Sequence, residues 1–105
     1  MKESEIQRTI LDYLRANDYL HWRNYVGPIL TGNGRRTKNM MKGMPDILGV
    51  LTEPEHRLFC IEVKSATGKL STHQRAWRTD LVKAGAIHIV AYSLDDVVSG
   101  LPPLT

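Results

Sequence analysis

The sequence predicts one α/β domain in which a mixed central β-sheet is flanked by α-helices. Apolar residues recur at helical spacing along 3–17 and 71–84, whereas runs rich in apolar and β-branched residues at 47–51, 58–63 and 86–92 predict strands. Only a short polar segment separates the first two runs, which favours an antiparallel hairpin. The third run follows the second helix directly, which favours parallel pairing with an earlier strand through a crossover connection.

Length and composition limit the architecture and the class of protein. A chain of 105 residues can build one modest core, so we expect residues 1–105 to form a single domain. No apolar run approaches the roughly 18 residues that a membrane helix needs. The first residues lack the apolar core of a signal peptide and Cys60 has no disulfide partner, so we expect a cytoplasmic protein. The formal net charge of +3 is compatible with nucleic acid without indicating it.

The first predicted helix carries a carboxylate beside its apolar face. Glu3 projects on the same side as the apolar residues, whereas Glu5 points away from them. A capping box formed by Ser4 and Gln7 would instead leave Glu3 just outside the helix, so both interpretations of Glu3 stay open from the residues alone. The apolar face consists of Ile6, Ile10, Tyr13 and Leu14.

Basic residues are concentrated before the predicted hairpin. The run 21–26 predicts the first strand, and Arg23 within it could contact a phosphate or lie exposed at a sheet edge. The stretch 27–42, rich in glycine and then in basic residues, predicts an irregular loop that could hold a phosphate backbone without reading sequence. A merely solvated charged face is the alternative. The loop residues that we consider for DNA contact, including one in the later loop 65–70, are Arg35, Arg36, Lys38, Lys42 and Lys69.

Three charged residues interrupt the apolar runs of the hairpin. Asp46 precedes the first run, and Glu62 and Lys64 lie at the end of the second. Because side chains alternate along a strand, Glu62 and Lys64 share one face and Val63 lies on the other. A turn centred near Pro54 would place Asp46 directly opposite Glu62, whereas a slip of one residue would separate them. Buried charges are costly unless they meet each other, a ligand or a metal.

Two neighbouring carboxylates and an ammonium group suit metal-assisted hydrolysis of a phosphodiester. Paired carboxylates favour divalent ions such as Mg²⁺, which polarise a phosphoryl group and activate water. Lys64 could then orient that water or stabilise the transition state. Ser71 and Gln74 predict a capping box at the start of the second helix, which gives Gln74 a structural role that needs no catalysis.

The order and spacing of these residues resemble those of a known nuclease superfamily. Pro45-Asp46 followed by Glu62-Val63-Lys64 resembles the motif of the PD-(D/E)XK nucleases. The fuller pattern Gly-Met-Pro-Asp-Ile-Leu-Gly, Ile-Glu-Val-Lys and Gly-Lys-Leu-Ser-x-x-Gln resembles the VRR-NUC family within that superfamily. The resemblance covers nearly the whole chain. It implies a restriction-endonuclease-like (PD-(D/E)XK) core and a metal-dependent endodeoxyribonuclease.

The resemblance also assigns roles to individual residues. It implies that Asp46, Glu62 and the Val63 carbonyl bind Mg²⁺ or Mn²⁺, and that Lys64 assists the attack on phosphorus. Glu3 would be an additional ligand or a group close to the metal. A glutamine at the position of Gln74 would lie at the edge of the active site.

The resemblance implies a branched DNA substrate. Stand-alone members of the family, many of them from phages and bacteria, resemble Holliday junction resolvases and form homodimers, whose two-fold symmetry suits a four-way junction. A nuclease for flaps or other branched DNA is one alternative. A DNA-binding module that has lost catalysis is another, although the intact set of Asp46, Glu62 and Lys64 argues against it.

Overall fold

The computed structural model describes residues 1–24, 32, 42–52 and 56–102. Three residues expected to contact DNA, Arg35, Arg36 and Lys38, lie outside these ranges. In chain order the elements are α1 (Glu3–Ala16), β1 (Leu20–Arg23), β2 (Ile47–Val50), β3 (Leu58–Val63), α2 (Thr72–Lys83), β4 (Ile87–Ala91) and α3 (Leu94–Gly100). None of these helices has both the length and the apolar character needed to cross a membrane.

The strands form one mixed sheet in the order β1-β2-β3-β4. β2 pairs antiparallel with both β1 and β3, whereas β3 and β4 pair in parallel. The predicted hairpin, the crossover through α2 and the mixed sheet are therefore confirmed. Ile47 lies opposite Ile61, and the same register continued by one residue places Asp46 opposite Glu62, as predicted.

The larger apolar core lies on one face of the sheet, against α1 and α3. Alternation along β3 sends Phe59, Ile61 and Val63 into this core, and each is fully buried. Phe59 lies so close to Gly49 of β2 that a side chain at that position would overlap its ring. The core residues are Ile6, Ile10, Leu14, Tyr19, Ile47, Leu51, Phe59, Ile61, Val63, Ile89, Ala91, Val97 and Leu101.

The opposite face of the sheet carries a much smaller apolar cluster beneath α2. Leu48, Cys60 and Ala86 are buried there, with Leu81 of α2 packed against them. Burial raises the pKa of the Cys60 thiol to about 11, so this thiol stays protonated at neutral pH. Asp46 and Glu62 project from this same face, because they alternate with Ile47 and Ile61.

The two sequences that match a capping box behave differently. Ser71 and Gln74 form the complete box at the start of α2. The Ser4 and Gln7 box does not form, because α1 begins at Glu3 and Lys2 occupies the cap without a side-chain hydrogen bond. Glu3 is thus part of the first helical turn, and the interpretation that places it before the helix is wrong.

Candidate active site

Asp46 is held in place at the point where β1, β2 and β3 meet. Its Oδ2 accepts a hydrogen bond of 2.8 Å from the Val63 amide. The Asn24 amide donates to the Asp46 carbonyl at 2.7 Å, and the Asn24 side chain donates to the Pro45 carbonyl at 3.2 Å. The backbone of the Pro-Asp pair is therefore fixed from β1, while its carboxylate is fixed from β3.

Pro45 leaves the Val63 carbonyl without a donor from the neighbouring strand. In the register of β2 and β3, Pro45 lies opposite Val63. An ordinary residue there would exchange hydrogen bonds with Val63, but proline has no amide hydrogen. The Val63 amide bonds instead to the Asp46 carboxylate. The Val63 carbonyl points to the same side of the strand, where Pro45 offers it no amide hydrogen.

Glu62 is a buried carboxyl with one committed and one uncommitted oxygen. The residue is only 2% exposed. Its Oε1 accepts a hydrogen bond of 2.8 Å from Gln74 Nε2, whereas its Oε2 is buried and has no partner among the described residues. Burial raises the pKa of Glu62 to about 9. The charge of Asp46 and the close contact between the two carboxyl groups also raise it, Lys64 lowers it, and Glu3 raises it. An apolar side chain of this size would fill the position without these penalties, so Oε2 points to a cationic ligand.

Gln74 connects the start of α2 to Glu62. Its side-chain oxygen accepts a hydrogen bond from the Ser71 backbone amide at 2.8 Å, and the Gln74 backbone amide donates to Ser71 Oγ at 3.1 Å. Because the oxygen of the side-chain amide is engaged by Ser71, its nitrogen faces Glu62. The structural role and the place at the edge of the site are therefore combined in one residue.

Lys64 and Glu3 complete the charged group. The Lys64 amide donates to the Ala91 carbonyl at 2.9 Å, which fixes the lysine just past the end of β3. Its aliphatic chain runs beside Gly68 in the following turn. Glu3 is exposed in the first turn of α1, yet lies near enough to act on the pKa of Glu62. All five residues that the sequence singled out for catalysis thus gather at one end of the sheet.

A comparison with known families identifies the domain. The family model described as the VRR-NUC domain matches residues 2–95 of the chain. The chain belongs to the VRR-NUC family. VRR-NUC is a nuclease domain, which implies hydrolysis of a nucleic acid backbone and DNA as the partner. No curated protein and no solved structure matches the chain significantly.

The oxygen atoms of this VRR-NUC site fit a hard divalent cation. Asp46 and Glu62 each use one oxygen in a protein hydrogen bond and keep the other, and the Val63 carbonyl adds a neutral oxygen. Mg²⁺ usually takes one or two protein carboxylates and completes its shell with water and phosphate. In the described ranges, no group of three or more histidine, cysteine, aspartate or glutamate side chains is placed to hold a metal. Asp46, Glu62 and Glu3 therefore do not form such a group in this arrangement.

Three of the expected DNA contacts lie within the described residues. Arg23 is exposed at the end of edge strand β1, next to Asn24. Lys42 is exposed, and its carbonyl accepts a hydrogen bond of 3.1 Å from the Trp77 indole of α2. Lys69 is exposed in the loop between β3 and α2.

Sequence reasoning missed some of the residues that support the VRR-NUC site. Asn24 has no role that local sequence rules predict, because its two hydrogen bonds to the Pro-Asp backbone depend on strand pairing. Gly43 has a positive φ of 87° and lies against the first turn of α2, where a side chain would overlap His73. Its position two residues before the Pro-Asp pair is the signal that could have indicated a close approach.

Proposed function

We propose that this domain is a metal-dependent, structure-specific endodeoxyribonuclease with a restriction-endonuclease-like (PD-(D/E)XK) core, formed by a single domain over residues 1–105. The observation that carries the proposal is Glu62: a carboxyl buried at 2% exposure, opposite Asp46, with one oxygen lacking any described partner. A buried arrangement of this kind is destabilising in the absence of a ligand. A role in phosphodiester cleavage would account for this buried pair of carboxyl groups.

Asp46, Glu62 and the Val63 carbonyl would hold Mg²⁺ or Mn²⁺. When bound, the ion would polarise the scissile phosphate and neutralise charge that builds up on it. Both carboxyl groups must be ionised to bind it, so Glu62 gives up its proton on loading. The hydrogen bond from Gln74 to Glu62 Oε1 would hold this carboxylate and leave Oε2 for the ion.

Lys64 would act on the reacting phosphate itself. Its ammonium group lies near enough to Glu62 to lower the pKa of that carboxyl. A fixed positive charge at this position can orient the attacking water and stabilise the negative charge that grows on the phosphoryl oxygens. Glu3, which is exposed but close enough to act on Glu62, would act at longer range on the charge of the metal-bound site or on the water held there.

We propose that the substrate is branched DNA and that four-way junctions are the preferred form. A homodimer of this chain would cut them. A domain of this size reads backbone and shape more readily than base sequence. A two-fold dimer would present two sites to the two-fold symmetry of a junction. Sedimentation that shows a monomer at micromolar concentration would contradict the dimer.

The test is cleavage of labelled four-way junction, flap and duplex DNA with Mg²⁺ or Mn²⁺. We expect paired symmetric nicks in the junction by the wild type, and loss of cleavage with retained DNA binding in Asp46→Asn and Lys64→Ala. Glu3→Gln should slow cleavage, whereas the matched control Glu5→Gln removes a carboxylate that points away from the site and should not.

The results separate the alternatives. Preferred cutting of flaps would support the nuclease proposal and replace the four-way junction with a flap as the proposed substrate. Binding of DNA by the wild type without cleavage by either metal would remove the nuclease proposal and leave a binding module.

A further inference from the structure

One side of α2 forms an exposed cationic groove that no sequence motif singles out. The groove has a volume of about 500 Å³. At 3.6 residues per turn, its residues project to one side of the helix rather than around it. We call this surface the α2 groove; it is lined by Arg75, Arg78, Thr79, Val82 and Lys83, all of them exposed.

The α2 groove is separate from the surface by which α2 packs. The opposite side of the helix contacts the chain before β2, where the Trp77 indole donates to the Lys42 carbonyl. Asp80, the one acidic residue of α2, projects to that other side. Burial lowers the pKa of His88 on edge strand β4, and Arg78 lies close enough to lower it further, so the groove faces the β4 side of the molecule.

The α2 groove begins one residue after a residue that contacts the active site. Gln74 donates to Glu62, and Arg75, the next residue along α2, is the first residue of the groove. From there to Lys83 the helix advances by about 12 Å at 1.5 Å per residue. That length corresponds to between three and four phosphates of one strand at about 3.4 Å of rise each.

We propose that the α2 groove binds the phosphate backbone of one DNA arm beside the scissile phosphate. Two guanidinium groups and an ammonium group match an anionic backbone, and arginine pairs with phosphate through two parallel hydrogen bonds. Three of the five described lining residues carry a positive charge, and Val82, which is 52% exposed, is the one aliphatic side chain among these five. Such contacts add affinity and register without sequence preference. The inference rests on the proposed nuclease function.

The first test compares two double variants that lose the same charge. Arg75→Gln with Arg78→Gln empties the groove of its guanidinium groups, whereas Arg8→Gln with Arg15→Gln removes two exposed arginines from the outer side of α1. Junction affinity is measured in EDTA over a range of salt concentrations. We expect the groove variant to bind about tenfold more weakly, with a salt slope smaller by nearly two, and to raise KM while kcat changes little. The α1 variant should keep the wild-type slope.

A second test locates the contact on the DNA. Methylphosphonate linkages, which carry no charge, are placed two to four nucleotides from the mapped cleavage position, on either side in separate substrates. The wild type and the α1 variant should bind one of these substrates more weakly than unmodified DNA. The groove variant should bind that substrate and unmodified DNA with nearly equal affinity.

The outcomes distinguish the inference from the function on which it rests. If the wild type neither binds nor cuts DNA, the proposed function fails. If the wild type binds and cuts while both double variants keep its affinity and salt slope, the α2 groove does not hold DNA. A groove variant with unchanged DNA binding but an altered sedimentation coefficient would overturn the inference too, because it would assign the groove to a second copy of the chain.

Discussion

Phe59, Ile61 and Val63 of β3 point into the larger core, whereas Cys60, Glu62 and Lys64 alternate with them and point to the other face. The first set is surrounded by apolar side chains from α1, α3 and the neighbouring strands. The second set includes a carboxyl that burial leaves with a strongly raised pKa. Neighbouring residues of one strand thus stabilise the fold on one side and destabilise it on the other, and the destabilised side is where a ligand would bind.

The sharpest contrast comes from Glu62→Gln. We expect cleavage to fall by at least about 10³-fold, equivalent to roughly 4 kcal/mol, because the amide cannot hold a divalent cation as a carboxylate does. The metal-free variant should be at least as stable as the wild type. Single-turnover cleavage and urea unfolding in EDTA measure the two quantities on one preparation. A variant that is both inactive and clearly less stable would contradict the idea that Glu62 opposes folding.

The core face should give the opposite result. Ile61→Ala, one residue away and fully buried, should lower the free energy of unfolding by about 2–5 kcal/mol because it leaves a cavity. Below the melting temperature, the folded fraction should keep its metal affinity and cleavage rate. The comparison fails if this variant loses activity while it remains folded by circular dichroism.

The pH dependence of stability is the next effect in size. A carboxyl whose pKa rises from 4.5 to about 9 on folding holds its proton in the folded state after the unfolded state has lost it. Between these values the unfolded state binds fewer protons, so stability falls as pH rises. Going from pH 6 to pH 8 in EDTA, wild type should lose about 2–3 kcal/mol relative to Glu62→Gln. Parallel pH profiles of the two proteins would refute the raised pKa.

The smallest effect separates the two roles of Gln74. Gln74→Ala and Ser71→Ala should each destabilise the protein by about 1 kcal/mol through loss of the cap of α2. Only Gln74→Ala also removes the hydrogen bond to Glu62, and it should weaken metal binding by about tenfold, as lost support of a ligand commonly does. Calorimetric titration with Mn²⁺ measures this difference. Equal affinities in the two variants would leave Gln74 with its capping role alone.

Much of the site could be predicted from local rules. Alternation along β3 and a hairpin centred near Pro54 were enough to place Asp46 opposite Glu62, because register follows from turn position once one face is buried. The capping box at Ser71 was equally readable. The identical signature at Ser4 was misleading, since the tetrad does not determine which residue becomes the cap.

What the sequence did not reveal depends on the direction of elements in space. The predicted DNA contacts lie in loops and on an edge strand. Arg75 and Arg78 become candidates only once α2 is known to begin beside Glu62 and run away from it. The support that Asn24 gives to Asp46 likewise requires the pairing of β1 with β2, which are far apart in the chain. Local periodicity contains neither fact.

Pro45 affects this site because proline has no backbone amide hydrogen to donate. Replacing it with alanine would supply a backbone donor to the Val63 carbonyl and let β2 and β3 pair for one more step. Asp46, Glu62 and Lys64 would all still be present. A comparison of related sequences that inspects only charged side chains would therefore count such a chain as intact. The change would be visible only in the backbone hydrogen bonding of the Val63 carbonyl.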